Sequence, residues 1–251
     1  LYHWDVDQPD RVIEVGDEQV LHVEVGGAKL FFALGPPTPT APPEERMRRV
    51  LELPEVEIAA IRWGEQVHGR VIASLASNHG RRFQGAACVG RCDALMSAES
   101  GIGLVVWSAD CVPTLITGGD VVAAVHSGWR GTVADIAGAV VRRFAVEYGI
   151  EPENLHAALG PAISGARYEV SQSVIDSLGA FGLEEERWRS GNQVDLRQFL
   201  TARLEDLGLD PGAIRAIGPC TASTPELASY RRDGVDSGRQ WSMVYRSSSS
   251  C

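Results

Sequence analysis

Long hydrophobic runs are missing from this chain of 251 residues. Nothing in it approaches the roughly 18 consecutive apolar residues that a membrane-spanning helix needs. The opening stretch, Leu1 to Asp10, has neither the basic head nor the apolar segment of a secretion signal. The chain opens on Leu1, not on methionine, so its natural start is expected to lie upstream or to be processed. Basic residues are in deficit: 23 Lys and Arg stand against 33 Asp and Glu, a formal charge of −10. Nucleic-acid backbones reward clustered cations, so this balance argues against such a surface but leaves room for a small anion in a local basic pocket. Cysteine is scarce and odd in number. Cys88, Cys92, Cys111, Cys220 and Cys251 show no framework spacing, which favours a reducing cytoplasm over a disulfide scaffold. Cys88 and Cys92 have no second pair at finger-like distance, so they make a poor zinc signal. His3, His22, His68, His79, His126 and His156 include no His-x-His pair, the unit from which a multicopper oxidase builds its trinuclear cluster.

What is present is ordinary in bulk, with 44% apolar and 22% charged residues, and long enough to bury a sizeable core. Arg11–Val15, Val20–Val25 and Lys29–Leu34 read as strands, Pro36 to Pro43 as a proline-rich loop, and Glu44 to Leu53 as a short helix stopped by Pro54. Ile58–Trp63 and Arg70–Leu75 are further strand candidates with His68 between them, and Asn78 to Gly90 reads as a loop. Leu104–Trp107 is a buried-strand run ending at Asp110-Cys111, and Val112–Ile116 continues it. Val121–Val125 delivers His126 at its end. Thr132, with Asp135 three residues on, reads as the cap of a helix whose apolar face runs from Val133 to Tyr148 and stops at Gly149. Leu155–Leu159 follows as a strand and Ser171–Leu178 as a helix. Asp195 caps a second amphipathic helix stopped by Gly208. Ala213–Ile217 and Trp241–Tyr245 close the sheet, and Ser247–Ser250 reads as a disordered tail. No repeat or linker divides residues 1–251, so the expectation is one α/β domain with mixed sheets.

Three short segments carry the chemistry: Gln66-Val67-His68-Gly69, Ser108-Ala109-Asp110-Cys111 and Val125-His126-Ser127-Gly128-Trp129-Arg130-Gly131. Two imidazoles and a thiolate suit a metal that keeps a coordination position open. The same trio suits a cysteine nucleophile with a histidine base. Each residue has a bland reading too: Cys111 as a small buried hydrophobe, His68 as turn chemistry, His126 as a strand end. Strand ends are where sites gather in α/β folds, and the glycines at 128 and 131 permit close backbone approach. Asp93 and Asp110 are either turn caps or acceptors that fix an imidazole tautomer. Arg130 either pairs with a carboxylate or grips a phosphate through its fork.

The run Arg91-Cys92-Asp93-Ala94-Leu95, then Gly103–Trp107, Ala109-Asp110-Cys111-Val112-Pro113, Val122–Gly131 and Gly160-Pro161-Ala162-Ile163-Ser164 resembles the laccase-domain family. These proteins are also called polyphenol oxidases or peptidoglycan editing factors and are related to purine nucleoside phosphorylases. Gln66–Gly69 matches the family's first histidine motif, and Cys220-Thr221, Ser229–Gly234 and Gly238–Gln240 match its C-terminal motifs. In order, the resemblance runs from about Glu65 to Tyr245. It implies a four-layer α/β/β/α sandwich with mixed sheets and a zinc held by His68, Cys111 and His126. It also implies both phosphorolysis and deamination of purine nucleosides, with adenosine and inosine as substrates. Phosphorolysis needs a cationic clamp, for which Arg130 and Arg46 are the candidates. Residues 1–64 depart from the pattern: Phe31–Gly35 replaces a Ser-Leu-Asn-Leu-Gly-like segment, and Glu45-Arg46 replaces Asn-Arg. The resemblance places both at the substrate end of the pocket, so they put substrate identity in question.

A divalent metal with an open position activates water and polarises a leaving group. Phosphate attack at the anomeric carbon would release the base, and water attack at purine C6 would release ammonia. A His₂Cys site also accepts a single copper, but one copper centre does not make a four-electron oxygen reductase, so copper is the less favoured metal and polyphenol oxidation the minor reading. The other enzyme class is a cysteine hydrolase acting on an amide of a peptidoglycan precursor, with Cys111 as nucleophile, His126 as base and Asp110 or Asp93 as orienter. A third class, a non-enzymatic binding module, is disfavoured by the intact ligand motifs.

Overall fold

Apolar residues on both faces of the central strands require cover on both sides, and the computed structural model shows what supplies it. The structure describes residues 11–15, 18–34, 42–53, 56–76 and 84–247. In chain order the elements are β1 (Arg11–Val15), β2 (Glu18–Val25), β3 (Ala28–Ala33), α1 (Pro43–Leu51), β4 (Ala60–Glu65), β5 (Ile72–Leu75), β6 (Gly85–Arg91), β7 (Ala94–Ser97), β8 (Ile102–Ser108), β9 (Val112–Gly118) and β10 (Val121–Ser127). Next come α2 (Trp129–Val133), α3 (Ile136–Tyr148), β11 (His156–Leu159), α4 (Gln172–Gly179), the short pair β12 (Arg189–Ser190) and β13 (Gln193–Val194), α5 (Leu196–Asp206), β14 (Ile214–Ala216), α6 (Tyr230–Asp233) and β15 (Gln240–Arg246). Among the described residues no helix is long and apolar enough to cross a membrane.

Two mixed sheets stack, a seven-stranded one in the order β1-β2-β3-β15-β8-β4-β6 and a six-stranded one in the order β14-β11-β9-β10-β7-β5. The period of two along a strand sorts its side chains between layers. On β8, Leu104 and Val106 join Phe32, Leu115, Val122 and Ala124 in the core between the sheets. The alternate residues Val105 and Trp107 join Met47 and Val50 of α1 on the outer face. On β10, Val121, Ala123 and Val125 face outward against Ile136, Val140 and Phe144 of α3 and Phe199 and Leu200 of α5. The result is helix, sheet, sheet, helix: an α/β fold of four layers.

Strand direction then fixes where a site can form. β4, β6 and β8 run parallel in the first sheet. Each is followed at its C-terminal end by a strand of the second sheet: β4 by β5, β6 by β7, β8 by β9. Three sheet-to-sheet crossings therefore lie at one end of the sandwich. β10, antiparallel to β7 and β9, ends there as well. So does β11, antiparallel to β9, while β15, antiparallel to β8, begins there.

Several sequence expectations change. Of the stretch read as a loop at residues 78–90, residues 78–83 lie outside the described residues, and from Gly85 the chain forms β6, a half-exposed edge strand. Its glycines and alanines carry no alternation, and parallel backbone pairing with β4 makes the strand. β9 does not continue β8: Asp110 at φ +81° turns the chain, and the two strands belong to different sheets. Thr132 lies inside α2, its hydroxyl donating to Gly128 O at 3.0 Å, and Asp135, in the left-handed region, binds Arg142 and Arg203 instead of capping α3. β14 and β15 end up in separate sheets. Asp195 does cap α5, accepting from Gln198 N. Residues 36–41 of the proline-rich loop and 248–250 of the serine tail lie outside the described residues.

Packing between the sheets is tight where β11 ends. A methyl group at Gly160 would run into the ring of Phe32 and lie 2.9 Å from Pro113 Cγ. Gly160→Ala is therefore expected to destabilise the fold by about 1–3 kcal/mol, the usual cost of overpacking. A lowered urea midpoint with an unchanged slope is the measurement.

Candidate metal centre and its cavity

His68 leaves the end of β4, Cys111 sits in the turn between β8 and β9, and His126 is near the end of β10. The crossings bring one donor atom from each to within 4.8 Å of the others. Cys111 Sγ is 3.9 Å from His68 Nε2, and the two imidazoles meet edge to face with centroids 4.9 Å apart. His126 is 3% exposed, whereas His68 opens to solvent. A wall of protein on one side and access on the other is what a substrate-binding metal centre requires.

Asp93, in the β6–β7 crossing and 0% exposed, organises the set. Its Oδ1 accepts from His68 N (2.8 Å) and pairs with His126 Nδ1 (3.0 Å), while Oδ2 accepts from Gly69 N (2.8 Å) and Val67 N (3.2 Å). Three successive amides converging on one carboxylate hold His68 at φ +59°, a conformation costly for a non-glycine residue. The bond at Nδ1 leaves Nε2 of His126 for a metal. Gln66 ties the same loop to β8, donating to Trp107 O and accepting from Trp107 N, both at 2.7 Å. Gly128 permits the convergence: a Cβ there would stand 2.9 Å from both Cys111 Sγ and His68 Cδ2.

Electrostatics follow from these contacts. Burial alone would raise the Cys111 thiol, but hydrogen bonds and charge from His126 and His68 outweigh it and bring it to about 6. Burial would lower His126, yet its bonds to Asp93 and Cys111 hold it up at about 9. Burial would raise Asp93 too, but His126 and the amides of Gly69 and Val67 keep it below its ordinary value. The donor set of two imidazoles and a thiolate near neutrality fits a borderline divalent cation.

The triad forms part of the wall of a cavity of about 650 Å³. Trp107, Trp129, Tyr168 and Tyr230 supply aromatic surface, Ile163 and Leu196 aliphatic surface, and Arg130, Arg231 and Arg239 positive charge. Arg130 stacks on Trp129, 4.4 Å from the ring centroid, and makes no hydrogen bond among the described residues. Arg46 does not line the cavity. It stands behind the wall, donating to Arg239 O at 2.7 Å and lying 5.1 Å over the Trp107 ring. Asp110 does not touch an imidazole. Its oxygens accept from Thr221 Oγ1 and Arg231 N, both at 2.6 Å, which pins the C-terminal loop beside Cys111. Tyr230, Arg231 and Arg239, which had motif matches but no physical role in the sequence, are cavity wall. Tyr168 carried no sequence signal at all: its neighbours Arg167 and Glu169 suggest a solvent-facing segment.

Residues 41–247 match the family model described as multi-copper polyphenol oxidoreductase laccase. A purine nucleoside phosphorylase of Deinococcus radiodurans is 38% identical over 158 residues, 61% of this chain and 60% of its own length, so that match spans less than two thirds of the relative. One of Streptomyces coelicolor is 36% identical over 183 residues, 71% of this chain and 72% of its own length. The crystal structure of YlmD from Geobacillus stearothermophilus aligns with a TM-score of 0.78 at 26% identity, covering 96% of this chain and 100% of that one.

Asp93→Ala removes the acceptor that orients one ligand and the loop bearing another. It is expected to weaken metal binding roughly 10- to 100-fold, read by competition with a chromophoric chelator. Metal loading is expected to fall as pH drops through about 6, where the Cys111 thiolate takes up a proton. Between about 6 and about 9, uptake should release a proton from His126. Titration calorimetry in buffers of different ionisation heat measures that proton, and metal uptake without proton release would contradict the ligand assignment.

Proposed function

The chain belongs to the multi-copper polyphenol oxidoreductase laccase family, and we propose that this member is a metal-dependent purine nucleoside phosphorylase. One observation carries the reading: a single cavity, of a size usual for small-molecule sites, joins a three-donor metal centre to an uncommitted guanidinium between aromatic walls. The relatives named as purine nucleoside phosphorylases support it.

In this reading His68, Cys111 and His126 hold zinc, which when bound supplies a Lewis acid and acidifies a water. Asp93 keeps His126 in the ligating tautomer. Arg130 binds inorganic phosphate through charge-assisted hydrogen bonds and presents it to the anomeric carbon of the nucleoside. The base lies against the aromatic wall and departs with the electrons of its bond to ribose. Hydrolytic deamination of adenosine at C6 is proposed as a second reaction of the same centre. Polyphenol oxidation is not proposed, because among the described residues the donors gather into one cluster of three.

A second reading has a specific observation behind it. Asp93, His126 and Cys111 form the orienter–base–nucleophile series of a cysteine hydrolase, with an amide of a peptidoglycan precursor as its substrate. Chelation separates the two: a thiol hydrolase works without metal, whereas the phosphorylase does not.

The deciding experiment takes purified protein, measures bound zinc and copper, and follows adenosine and inosine by chromatography with and without phosphate. Free base appearing only with phosphate is the expected result, and conversion of adenosine to inosine in either buffer reports deamination. Arg130→Ala is expected to raise the KM for phosphate roughly 10- to 100-fold, the worth of a hydrogen bond to a charged group, with bound metal unchanged. Fully metal-loaded protein that turns over no nucleoside sinks the reading.

A further inference from the structure

Most polar groups on the cavity wall are already engaged by the fold. Asp110 uses both oxygens on Thr221 and the Arg231 amide. The Arg231 guanidinium donates to Glu169 O at 3.2 and 3.3 Å, and Arg239 donates to Ser237 and Gly238. Two donors without partners, Trp107 Nε1 and Ser108 Oγ, are buried beneath the wall and not open to it. Apart from the metal ligands, that leaves Arg130, Tyr230, Tyr168 and the indole N–H of Trp129, whose ring Arg130 covers. Tyr230 stands 53% exposed on the outer part of the wall. Tyr168 is half-buried, lines the cavity and makes no side-chain hydrogen bond among the described residues.

The surroundings of Tyr168 define what its hydroxyl can do. Burial and then the charge on Cys111 push it up to about 12, with Asp110 raising it further and Arg231 and Arg130 opposing. A tyrosine hydroxyl is in any case a protonated donor at neutral pH, and Tyr168 shares the cavity wall with the three candidate metal donors and with Arg130. Arg231 lies over its ring, 5.0 Å from the centroid, and fixes its plane. An incoming phosphate carries full charge and is matched by the Arg130 cation. A purine leaving ribose develops only partial charge on its ring nitrogens, which a neutral donor matches.

We propose that Tyr168 is a catalytic residue whose hydroxyl donates a hydrogen bond to the departing purine. The inference rests on the phosphorylase reading. In the step, a phosphate oxygen forms a bond to the anomeric carbon, the bond from that carbon to the purine nitrogen breaks, and its electron pair passes into the ring. Tyr168 stabilises that charge and keeps its own proton, and the released base takes its proton from solvent.

Tyr168→Phe keeps the ring and the Arg231 stack and deletes only the donor. Inosine phosphorolysis by this variant is expected to lose roughly 100-fold in kcat, the usual effect of removing one preorganised donor, with phosphate KM and bound metal unchanged. With 7-methylinosine, whose base departs as a neutral ring and needs no donor, the variant is expected to match the wild type. Undiminished inosine turnover overturns the assignment. So does an equal loss on both substrates, which would mean that the hydroxyl serves structure alone. Wild-type protein inactive on both nucleosides overturns the phosphorylase reading and this inference with it.

Discussion

A single buried carboxylate holds the site together. Asp93 has no solvent contact, so its charge is tolerated only because its two oxygens take four hydrogen bonds, three from consecutive amides and one from an imidazole. Those bonds reach two of the three candidate metal ligands by different routes. For His126 the carboxylate fixes the ring. For His68 it fixes the backbone, keeping in the left-handed region a residue that would otherwise leave it. A candidate metal centre assembled from chain segments about 58 residues apart at its extremes needs such a common anchor, and among the described residues the anchor comes from the β6–β7 crossing, which contributes none of the three donors.

The crossings explain why the centre is where it is. A sandwich whose strands passed between sheets at scattered points would spread these side chains over its surface. Here β4, β6 and β8 are parallel neighbours, so their exits coincide, and a turn at each exit lowers the chain onto the second sheet. The turns are tight enough that two of them use non-glycine residues at positive φ, His68 and Asp110. Strain of this kind persists where surrounding bonds over-determine it, and both residues are so held.

Much of this was legible in the residues, and the failures have physical causes. Buried strands such as β8 and β10 announce themselves because both faces are apolar, and the cap of α5 follows from the side-chain chemistry of Asp195 alone. The three donors that converge were visible in their local context, beside glycines and at strand ends. What periodicity could not show was the third dimension. Ser108 to Val112 reads as one extended run because a single residue, Asp110, reverses its course. β6 reads as a loop because an edge strand of glycine and alanine owes its form to a partner's backbone. Arg46 and Arg130 looked equivalent as cations, yet one became a strut behind the wall and the other part of its surface. Tyr168 was invisible because burial of a tyrosine between two charged residues depends on a distant arginine stacking on it.

The two aspartates divide the labour of the cavity. Asp93 spends its bonds on the metal side, Asp110 on the loop that carries Tyr230 and Arg231, and the two never share a partner. Cys111 follows Asp110 directly, so the loop that forms this part of the cavity wall is keyed to the same turn that places the thiol. Substitutions in that loop, or at Arg46 behind it, can reshape the wall while Asp93 keeps the imidazoles in register. Of the departures from the family pattern, Phe31–Ala33 lie on β3 of the seven-stranded sheet and Glu45 on α1, while Gly35 lies outside the described residues. None of Phe31, Phe32, Ala33 and Glu45 lines the cavity, contrary to the expectation that placed them at its substrate end, and none bonds Asp93, so the convergence of the three candidate ligands is untouched by them.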